Sequence, residues 1–184
     1  MTEIALHILD IANNSTRAEA NNVDITIDAD SAKDILKIIV DDDGKGMSEE
    51  LLARVTDPFA TTRTTRKVGL GIPLFKQAAE VTGGSLKIRS GIGKGTTVTA
   101  IFGLKHIDRV PLGDVGATMA TLISGSPRTD FTLSFKADGK VYDFSTKEVK
   151  TILGDVPIES SEVLNYIEEM IDENIKNIIG GQPI

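Results

Sequence analysis

The stretch Asp41-Asp42-Asp43-Gly44-Lys45-Gly46-Met47 decides how the rest of the chain is interpreted. It follows an apolar run over residues 35–40 that is typical of a largely buried strand. Glycine tolerates positive φ and lets a ligand approach the main chain closely. An aspartate held there can accept a hydrogen bond from an amine, such as the exocyclic nitrogen of a base. Asp and Gly are also common in surface turns, so these seven residues alone leave both interpretations open.

The composition describes a chain that can build a core beneath an acidic surface. Its 184 residues, 40% of them hydrophobic, suit one domain or one domain with a small appendage. A net charge of −7 argues against a general nucleic-acid binder, and the absence of cysteine excludes disulfides and thiolate metal sites. Without an apolar run long enough to span a membrane or a signal-peptide pattern, a cytoplasmic protein is expected.

The charges are unevenly distributed along the chain. Residues 1–104 hold 12 basic and 14 acidic groups, whereas residues 105–184 hold 8 and 13. Much of the positive charge of the first part lies between Arg63 and Lys94. A local anion site on an otherwise acidic protein is therefore expected.

Residues 3 to about 15 predict a helix with one apolar face and a neighbouring polar strip. Asp10 and Asn14 lie four residues apart on that strip, so both can face one ligand. An Asn carbonyl suits Mg²⁺, and an Asp can orient or deprotonate a water; a solvated helix face is the alternative. Arg17 can reach the same ligand if the ligand is anionic. His7 is expected to be a helix-surface or satisfied histidine rather than a catalyst.

The next residues predict a half-buried strand over 23–28 and a short helix with Ser48 as its N-cap, ending near Val55. Residues 57–71 have no apolar period and contain four threonines and three cations. They lead into a helix over residues 72–81, whose free N–H groups and preceding cations favour a phosphate. A flexible basic loop without a ligand is the alternative.

Two further strands, over residues 85–90 and 96–103, predict an antiparallel hairpin with a glycine-rich connection. The order up to this point is helix, two strands, two helices separated by a loop, and two strands. It favours a sheet covered by helices on one face.

Residues 105–184 contain no motif that indicates chemistry. They predict a helix ending before Gly125, a β-hairpin built from residues 131–135 and 141–144, and a short helix capped at Ser145. A long amphipathic helix follows over residues 160–179. Its apolar stripe is expected to pack on the hairpin, with a partner or dimer surface as the alternative. The hairpin itself is expected to cover or extend an exposed edge of the sheet.

The individually weak motifs occur in a known order. Residues 3–103 resemble the ATP-binding domain of the GHKL superfamily, which includes histidine kinases, gyrase-type topoisomerases, Hsp90 and MutL. The matching segments are residues 10–18 (N box), 42–47 (G1 box), 57–63 (F box), 68–72 (G2 box) and 93–98 (closing glycine-threonine segment). Five boxes in the correct order are far more specific than any one of them.

The resemblance implies a Bergerat-type ATP-binding fold, an α/β (α+β) two-layer sandwich with a mixed sheet and helices on one face. Residues 1–104 would form the ATP-binding domain. Residues 105–184 would form a small α+β region with a β-hairpin and a long C-terminal helix, packed on the first.

The resemblance also implies roles for individual residues. Asp42 would accept a hydrogen bond from the adenine amino group, with help from Thr96, while Asn14 would coordinate Mg²⁺ and Asp10 would be the catalytic candidate. Contacts with ATP or ADP are implied for Asn14, Arg17, Asp42, Gly44, Gly46, Met47, Phe59, Arg63, Lys67, Gly69, Leu70, Gly71 and Thr96, and Arg66 is a further candidate for a phosphate contact.

Two residues depart from the family pattern. Related hydrolases carry Glu where this chain has Asp10, and the kinase-like G2 box usually begins with glycine where this chain has Lys67. The implied function is a stand-alone Mg-ATP-binding protein that regulates or phosphorylates a protein partner through residues 105–184. A slow Mg²⁺-dependent ATPase and a non-catalytic nucleotide sensor are the alternatives, so enzymatic activity and oligomeric state stay open.

Overall fold

The computed structural model of the chain describes residues 2–55, 71–181 and 184. The helices in these ranges are α1 (Ile4–Arg17), α2 (Glu49–Val55), α3 (Gly71–Val81), α4 (Val115–Gly125), α5 (Thr146–Leu153) and α6 (Ser161–Ile179). The strands are β1 (Asn22–Asp30), β2 (Ile35–Asp42), β3 (Ser85–Ser90), β4 (Thr96–Gly103), β5 (Asp130–Ala137) and β6 (Lys140–Ser145). The elements predicted from the sequence are confirmed in their order, with small shifts at their ends.

The strands form one mixed sheet in the order β3-β4-β2-β1-β5-β6. Neighbouring strands are antiparallel except β1 and β5, which run parallel. A parallel pair needs a crossover connection, and here the intervening strands and helices provide it. As a result β2 and β1 lie at the centre of the sheet.

Buried and more exposed side chains alternate along each strand, so the sheet has one buried face and one open face. Val98, Val40, Ile25 and Leu133 are paired in register across four strands, and all four side chains are buried. The helices α1, α3, α4 and α6 pack over this face and share its core. The opposite face carries the alternate, more exposed side chains, among them the paired Asp24 and Asp41. The expected two-layer architecture with helices on one face is confirmed.

The hairpin of β5 and β6 extends the sheet beside β1, as expected. Its turn residues Asp138 and Gly139 both have positive φ, of 47° and 86°, which is the geometry of a tight two-residue hairpin turn. Residues after 104 therefore add two strands to the sheet that the residues before 104 begin.

The apolar stripe of α6 is buried within the molecule. Ile167, Ile171 and Ile175 lie at helical spacing and are buried. They pack toward α4 as well as toward β5 and β6, so the stripe contacts more than the hairpin on which it was expected to lie. No helix in the described ranges combines the length and apolar character needed to cross a membrane.

One of the two predicted N-cap side chains makes a capping bond, and the other does not. Leu51 N donates to Ser48 Oγ at 3.3 Å before α2. Ser145 occupies the N-cap position of α5 as predicted, but its side chain makes no capping bond. The adjacent Thr146 is buried instead, and its Oγ1 accepts from Phe131 N at 2.9 Å. The start of α5 is thus tied to β5 rather than capped locally.

Candidate functional site

A cavity of about 190 Å³ lies where α1, the loop after β2 and the start of β4 meet. These elements leave a gap in their packing at the end of the sheet where β2 finishes. The residues that line the cavity are Ile11, Asn14, Ser15, Ala18, Asp42, Gly46, Met47, Leu51, Val55, Ile72, Thr96 and Val98. Five residues predicted as nucleotide contacts are among them: Asn14, Asp42, Gly46, Met47 and Thr96.

The carboxylate of Asp42 is held by one hydrogen bond to each oxygen. Ser15 Oγ donates to Asp42 Oδ2 at 2.6 Å, and Gly44 N donates to Asp42 Oδ1 at 2.9 Å. Asp42 is the last residue of β2 and is only partly exposed. A carboxylate oxygen has lone pairs for more than one donor, so the carboxylate retains the capacity to accept from a ligand in the cavity. Its orientation is set before a ligand arrives.

Ser15 lines the cavity and holds Asp42, but the sequence did not single it out. It lies on the buried face of α1, 3% exposed, four residues after Ile11 and three after Ala12. That helical spacing was visible in the sequence and indicated a hydroxyl turned inward. Its partner, 27 positions away, was not visible.

The glycines of the loop allow main-chain segments to touch. Gly46 has a φ of 66°, and a Cβ there would lie 1.9 Å from Gly91 O. A Cβ on Gly95 would lie 1.8 Å from Asp42 O. Gly44 is outside the cavity lining and acts as the donor to Asp42. These contacts require glycine at both Gly46 and Gly95, because a side chain would displace the Asp42 loop.

Thr96 lies beside Asp42, with which it is paired in register. Its Oγ1 lies 2.9 Å from Ser90 Oγ, which also donates to Gly95 O and accepts from Met47 N. The hydroxyl of Thr96 is therefore part of a polar chain that joins β3 and β4 to the loop after β2. This chain holds Met47 against the cavity wall.

The two polar residues of α1 that were expected to face one ligand have different neighbours among the described residues. Asn14 lines the cavity, whereas Asp10 lies against the start of α3. A Cβ on Gly71 would lie 1.6 Å from Asp10 Oδ2, so the two elements meet at that point. Arg17 is exposed and is not part of the cavity lining.

The prediction that His7 is a surface or satisfied histidine is wrong. The side chain is 2% exposed and stacks on Phe75 of α3, with ring centroids 4.9 Å apart. Its Nδ1 is buried without a hydrogen-bond partner among the described residues. Burial lowers the pKa of His7 to about 4, so the ring is neutral near pH 7.

Asp43 anchors the loop rather than facing the cavity. Its Oδ1 accepts from Asn21 N at 2.7 Å and Asn22 N at 2.9 Å, and its Oδ2 accepts from Asn22 Nδ2 at 2.7 Å. Burial alone would raise the pKa of Asp43, but the hydrogen bonds from Asn22 and Asn21 together lower it. The three consecutive aspartates thus have different roles, and only Asp42 lines the cavity.

Several predicted site residues lie outside the described residues. They are Phe59, Arg63, Arg66, Lys67, Gly69 and Leu70. Gly71, the first residue of α3, is described and adjoins Asp10. The phosphate-binding role expected for this segment therefore stays a prediction.

Comparison with known proteins matches the part of the chain that builds the cavity. A family model described as histidine kinase-, DNA gyrase B-, and HSP90-like ATPase matches residues 2–106. Similar curated proteins include the non-motile and phage-resistance protein of Caulobacter vibrioides, 33% identical over 58% of this chain and 13% of its own length. Sensor protein SrrB of Staphylococcus aureus is 35% identical over 53% of this chain and 17% of its own length. The putative sensor histidine kinase NtrY-like of Rickettsia conorii is 28% identical over 59% of this chain and 18% of its own length. The chain spans less than a fifth of the length of these relatives.

Solved structures match more of the fold. The MutL ATPase domain of Aquifex aeolicus in complex with ADP aligns with a TM-score of 0.50 and 15% identity, covering 83% of this chain and 69% of that chain. The N-terminal domain of a DNA repair protein aligns with a TM-score of 0.54 and 13% identity, covering 86% and 59%. At these identities the likeness is one of fold, and it extends past residue 106 into the C-terminal region.

Proposed function

Because the chain belongs to the histidine kinase-, DNA gyrase B-, and HSP90-like ATPase family, we propose that it binds Mg-ATP in the cavity beside Asp42 and uses it to regulate or phosphorylate a protein partner. The observation that carries the proposal is the Asp42 carboxylate, held by Ser15 and Gly44 at the cavity wall. An acceptor in that position selects a base that presents an amino group and disfavours one that presents a carbonyl oxygen.

The cavity suits the base of a nucleotide. Ile11, Met47, Ile72 and Val98 give it apolar walls, against which a flat ring can pack. Its volume of about 190 Å³ is below the roughly 300–1,000 Å³ of pockets that enclose whole drug-sized ligands. A base therefore fits the described cavity, while the sugar and phosphates would extend out of it along α1.

The described residues provide few ligands for a metal ion. The described residues contain no group of three or more His, Cys, Asp or Glu side chains able to hold one. Asn14 lines the cavity and would contribute its side-chain oxygen, so most of the coordination shell would come from phosphates and water. Magnesium bound there would neutralise phosphate charge. Arg17, Arg63, Lys67 and the first turn of α3 are the proposed phosphate contacts.

The partner-directed function is favoured over simple hydrolysis by the relatives. Two of the similar proteins are named as a sensor protein and a putative sensor histidine kinase. Transfer of a phosphoryl group depends chiefly on positioning and charge neutralisation, which this arrangement would supply. Residues 105–184 are the proposed docking region for the partner.

A slow ATPase is the second candidate. Asp10 lies on the same helix as Asn14 and adjoins the start of α3, where the phosphates are proposed to lie. From there a carboxylate can orient a water toward a phosphate. Aspartate is one methylene shorter than the glutamate of related hydrolases, so slow turnover is expected.

The experiment follows free phosphate and protein-bound label after incubation with Mg²⁺ and γ-labelled ATP. Wild type is compared with Asp42→Ala, Asp10→Ala and Asp24→Ala, the last being an exposed aspartate on the open face of β1. Nucleotide binding lost only in Asp42→Ala supports the proposed site. Phosphate release that disappears in both Asp42→Ala and Asp10→Ala makes the protein an ATPase. Absence of any nucleotide binding by wild type overturns the proposal.

With nucleotide retained and not hydrolysed, the same labelled complex is used to capture a partner through residues 105–184. Transfer of label to the captured protein supports phosphorylation, and capture that depends on ATP without transfer supports regulation. Capture that is indifferent to nucleotide contradicts both.

A further inference from the structure

A second cavity, of about 540 Å³, lies at the end of the sheet opposite to Asp42. Asp42 closes β2, whereas this cavity lies where β1, β4 and β5 finish, near Ala29, Leu104 and Ala137. The C-terminal end of α6 forms another wall. The residues that line it are distinct from those that line the nucleotide cavity.

Arg109 lines this second cavity with a guanidinium whose orientation is set by the main chain. Its Nε donates to Leu104 O at 2.7 Å and its Nη1 donates to Val110 O at 3.1 Å. A guanidinium has five N–H donors, so three are left by these two bonds. The group is half-buried, and burial lowers the pKa of Arg109. No ion pair among the described residues includes it.

Two lysines at the same cavity also have main-chain partners. Lys105 Nζ donates to Ser31 O at 3.4 Å, and Lys140 Nζ donates to Ile178 O at 3.2 Å. Within the described ranges, neither ammonium group forms an ion pair with a carboxylate. Three cations therefore line one cavity with main-chain oxygens as their hydrogen-bond partners. Lys105 and Lys140 are exposed, so the lack of a paired carboxylate is costly only for the half-buried Arg109.

The acidic side chain in the lining is already engaged. Asp138 Oδ1 accepts from Ser31 N and its Oδ2 accepts from Ser31 Oγ, both at 2.8 Å. Those bonds lower the pKa of Asp138. Its charge reduces the positive potential of the cavity, but its oxygens are directed to Ser31 rather than to Arg109.

We infer that this second cavity binds a small organic anion, whose phosphate or carboxylate group pairs with Arg109, Lys105 and Lys140. The free N–H groups of an arginine form two parallel hydrogen bonds to such a group, which a lysine cannot do. Leu104, Ala137 and Ile178 supply an apolar surface for the body of the ligand. The inference is independent of the proposed nucleotide site, which lies at the other end of the sheet.

The test is a titration of isotope-labelled protein, followed by the NMR signal of the Arg109 Nε–H group. The probes are phenyl phosphate, benzoate and inorganic phosphate. The variants are Arg109→Lys and Lys105→Gln, and the control is Lys87→Gln, which removes an exposed lysine from edge strand β3. A comparison of phenyl phosphate with benzoate identifies the preferred head group, and comparison with inorganic phosphate measures the contribution of the apolar surface.

The expected result is a saturable shift of the Arg109 signal with phenyl phosphate or benzoate. Removing one charge-assisted hydrogen bond weakens binding by about tenfold or more, so both Lys105→Gln and Arg109→Lys should weaken binding by this factor. Because Arg109→Lys lacks the Arg109 signal, its binding is followed by the NMR signals of neighbouring backbone amides. Lys87→Gln should bind like wild type. Lys105 is exposed, so its variant retains the fold. Shifts that never saturate with any probe, or equal affinity in wild type and both variants, overturn the inference.

Discussion

Ser15 on α1 and Asp42 at the end of β2 are joined by a hydrogen bond of 2.6 Å across 27 positions of sequence. The bond connects a helix of the covering layer to a central strand of the sheet. It engages Oδ2, while Gly44 N engages Oδ1, so the carboxylate cannot rotate without losing a bond. Such preorganisation reduces the ordering cost of ligand binding.

Replacing Ser15 with alanine is expected to weaken ATP binding by up to about tenfold, because loss of one hydrogen bond to a charged group frees the Asp42 side chain. The dissociation constant of Mg-ATP, measured by titration calorimetry, checks this. Asp42→Ala should have the larger effect because it removes the acceptor itself.

The matched control is Thr16→Ala. Among the residues that the structure describes, Thr16 Oγ1 donates only to Asn13 O within α1, at 3.0 Å, so its loss should leave affinity unchanged. Equal affinity of wild type and Ser15→Ala would show that Ser15 does not position Asp42 for the ligand.

Replacing Gly71 with alanine is expected to turn the Asp10 carboxylate away, because the new Cβ would lie 1.6 Å from Asp10 Oδ2, and to destabilise the protein by about 1 kcal/mol or less. Either Asp10 or the start of α3 must then move. The free energy of unfolding, from urea denaturation followed by circular dichroism, measures the cost.

The double variant Asp10→Ala/Gly71→Ala should recover most of that loss, since the clashing carboxylate is gone. Gly125→Ala is the control at the end of α4, where a Cβ would meet nothing within 4 Å. If the two single effects simply add in the double variant, Asp10 and Gly71 are not in contact.

The buried His7 is expected to make stability depend on pH. Its pKa is about 4 in the folded protein and about 6.5 when unperturbed, so the unfolded state binds more protons between these values. The stability that comes from keeping His7 neutral is fully present above about pH 6.5 and is lost as the pH falls toward 4. The loss is on the order of 2 kcal/mol after allowance for solvent screening.

Carboxylates titrate in the same range, so the measurement is the difference between wild type and His7→Phe at each pH. A phenyl ring keeps the stacking on Phe75 but cannot be protonated. The wild type should lose stability faster on acidification. His106→Phe, at the exposed histidine, is the control. Parallel stability profiles for wild type and His7→Phe would contradict the prediction.

The two halves of the chain are expected to unfold together, because β5 pairs directly with β1. Phe135 of β5 is fully buried, and Phe135→Ala should cost about 3–5 kcal/mol. In urea, the loss of nucleotide binding and the loss of helical signal should then shift by the same amount.

Ile152→Ala is the matched surface control, because that side chain is 85% exposed and its truncation should change stability by less than about 0.5 kcal/mol. Two separate transitions in Phe135→Ala, with nucleotide binding retained after the first, would show that residues 1–104 fold independently.

Local patterns predicted most elements because each element has a strong hydrophobic period or is bounded by turn residues. Alternation in β1 and β5, the helical spacing in α6 and the Asp138-Gly139 turn all appear in the structure where they were expected. Predictions that depended on the position of a contacting residue elsewhere in the chain were less successful. Ser145 has the chemistry of a cap, but the buried Thr146 makes the important bond, to Phe131 N.

The sequence by itself determined the order of elements, the two-layer class and the position of Asp42 at the end of a buried strand. Hydrophobic periodicity and turn residues act within a few positions, so they can be read without the fold. Only the tertiary structure decided that Ser15 holds Asp42, that Asp10 adjoins Gly71 and that His7 is buried on Phe75. Each of these contacts joins elements that are distant in the chain, and their geometry depends on how the helices pack on the sheet.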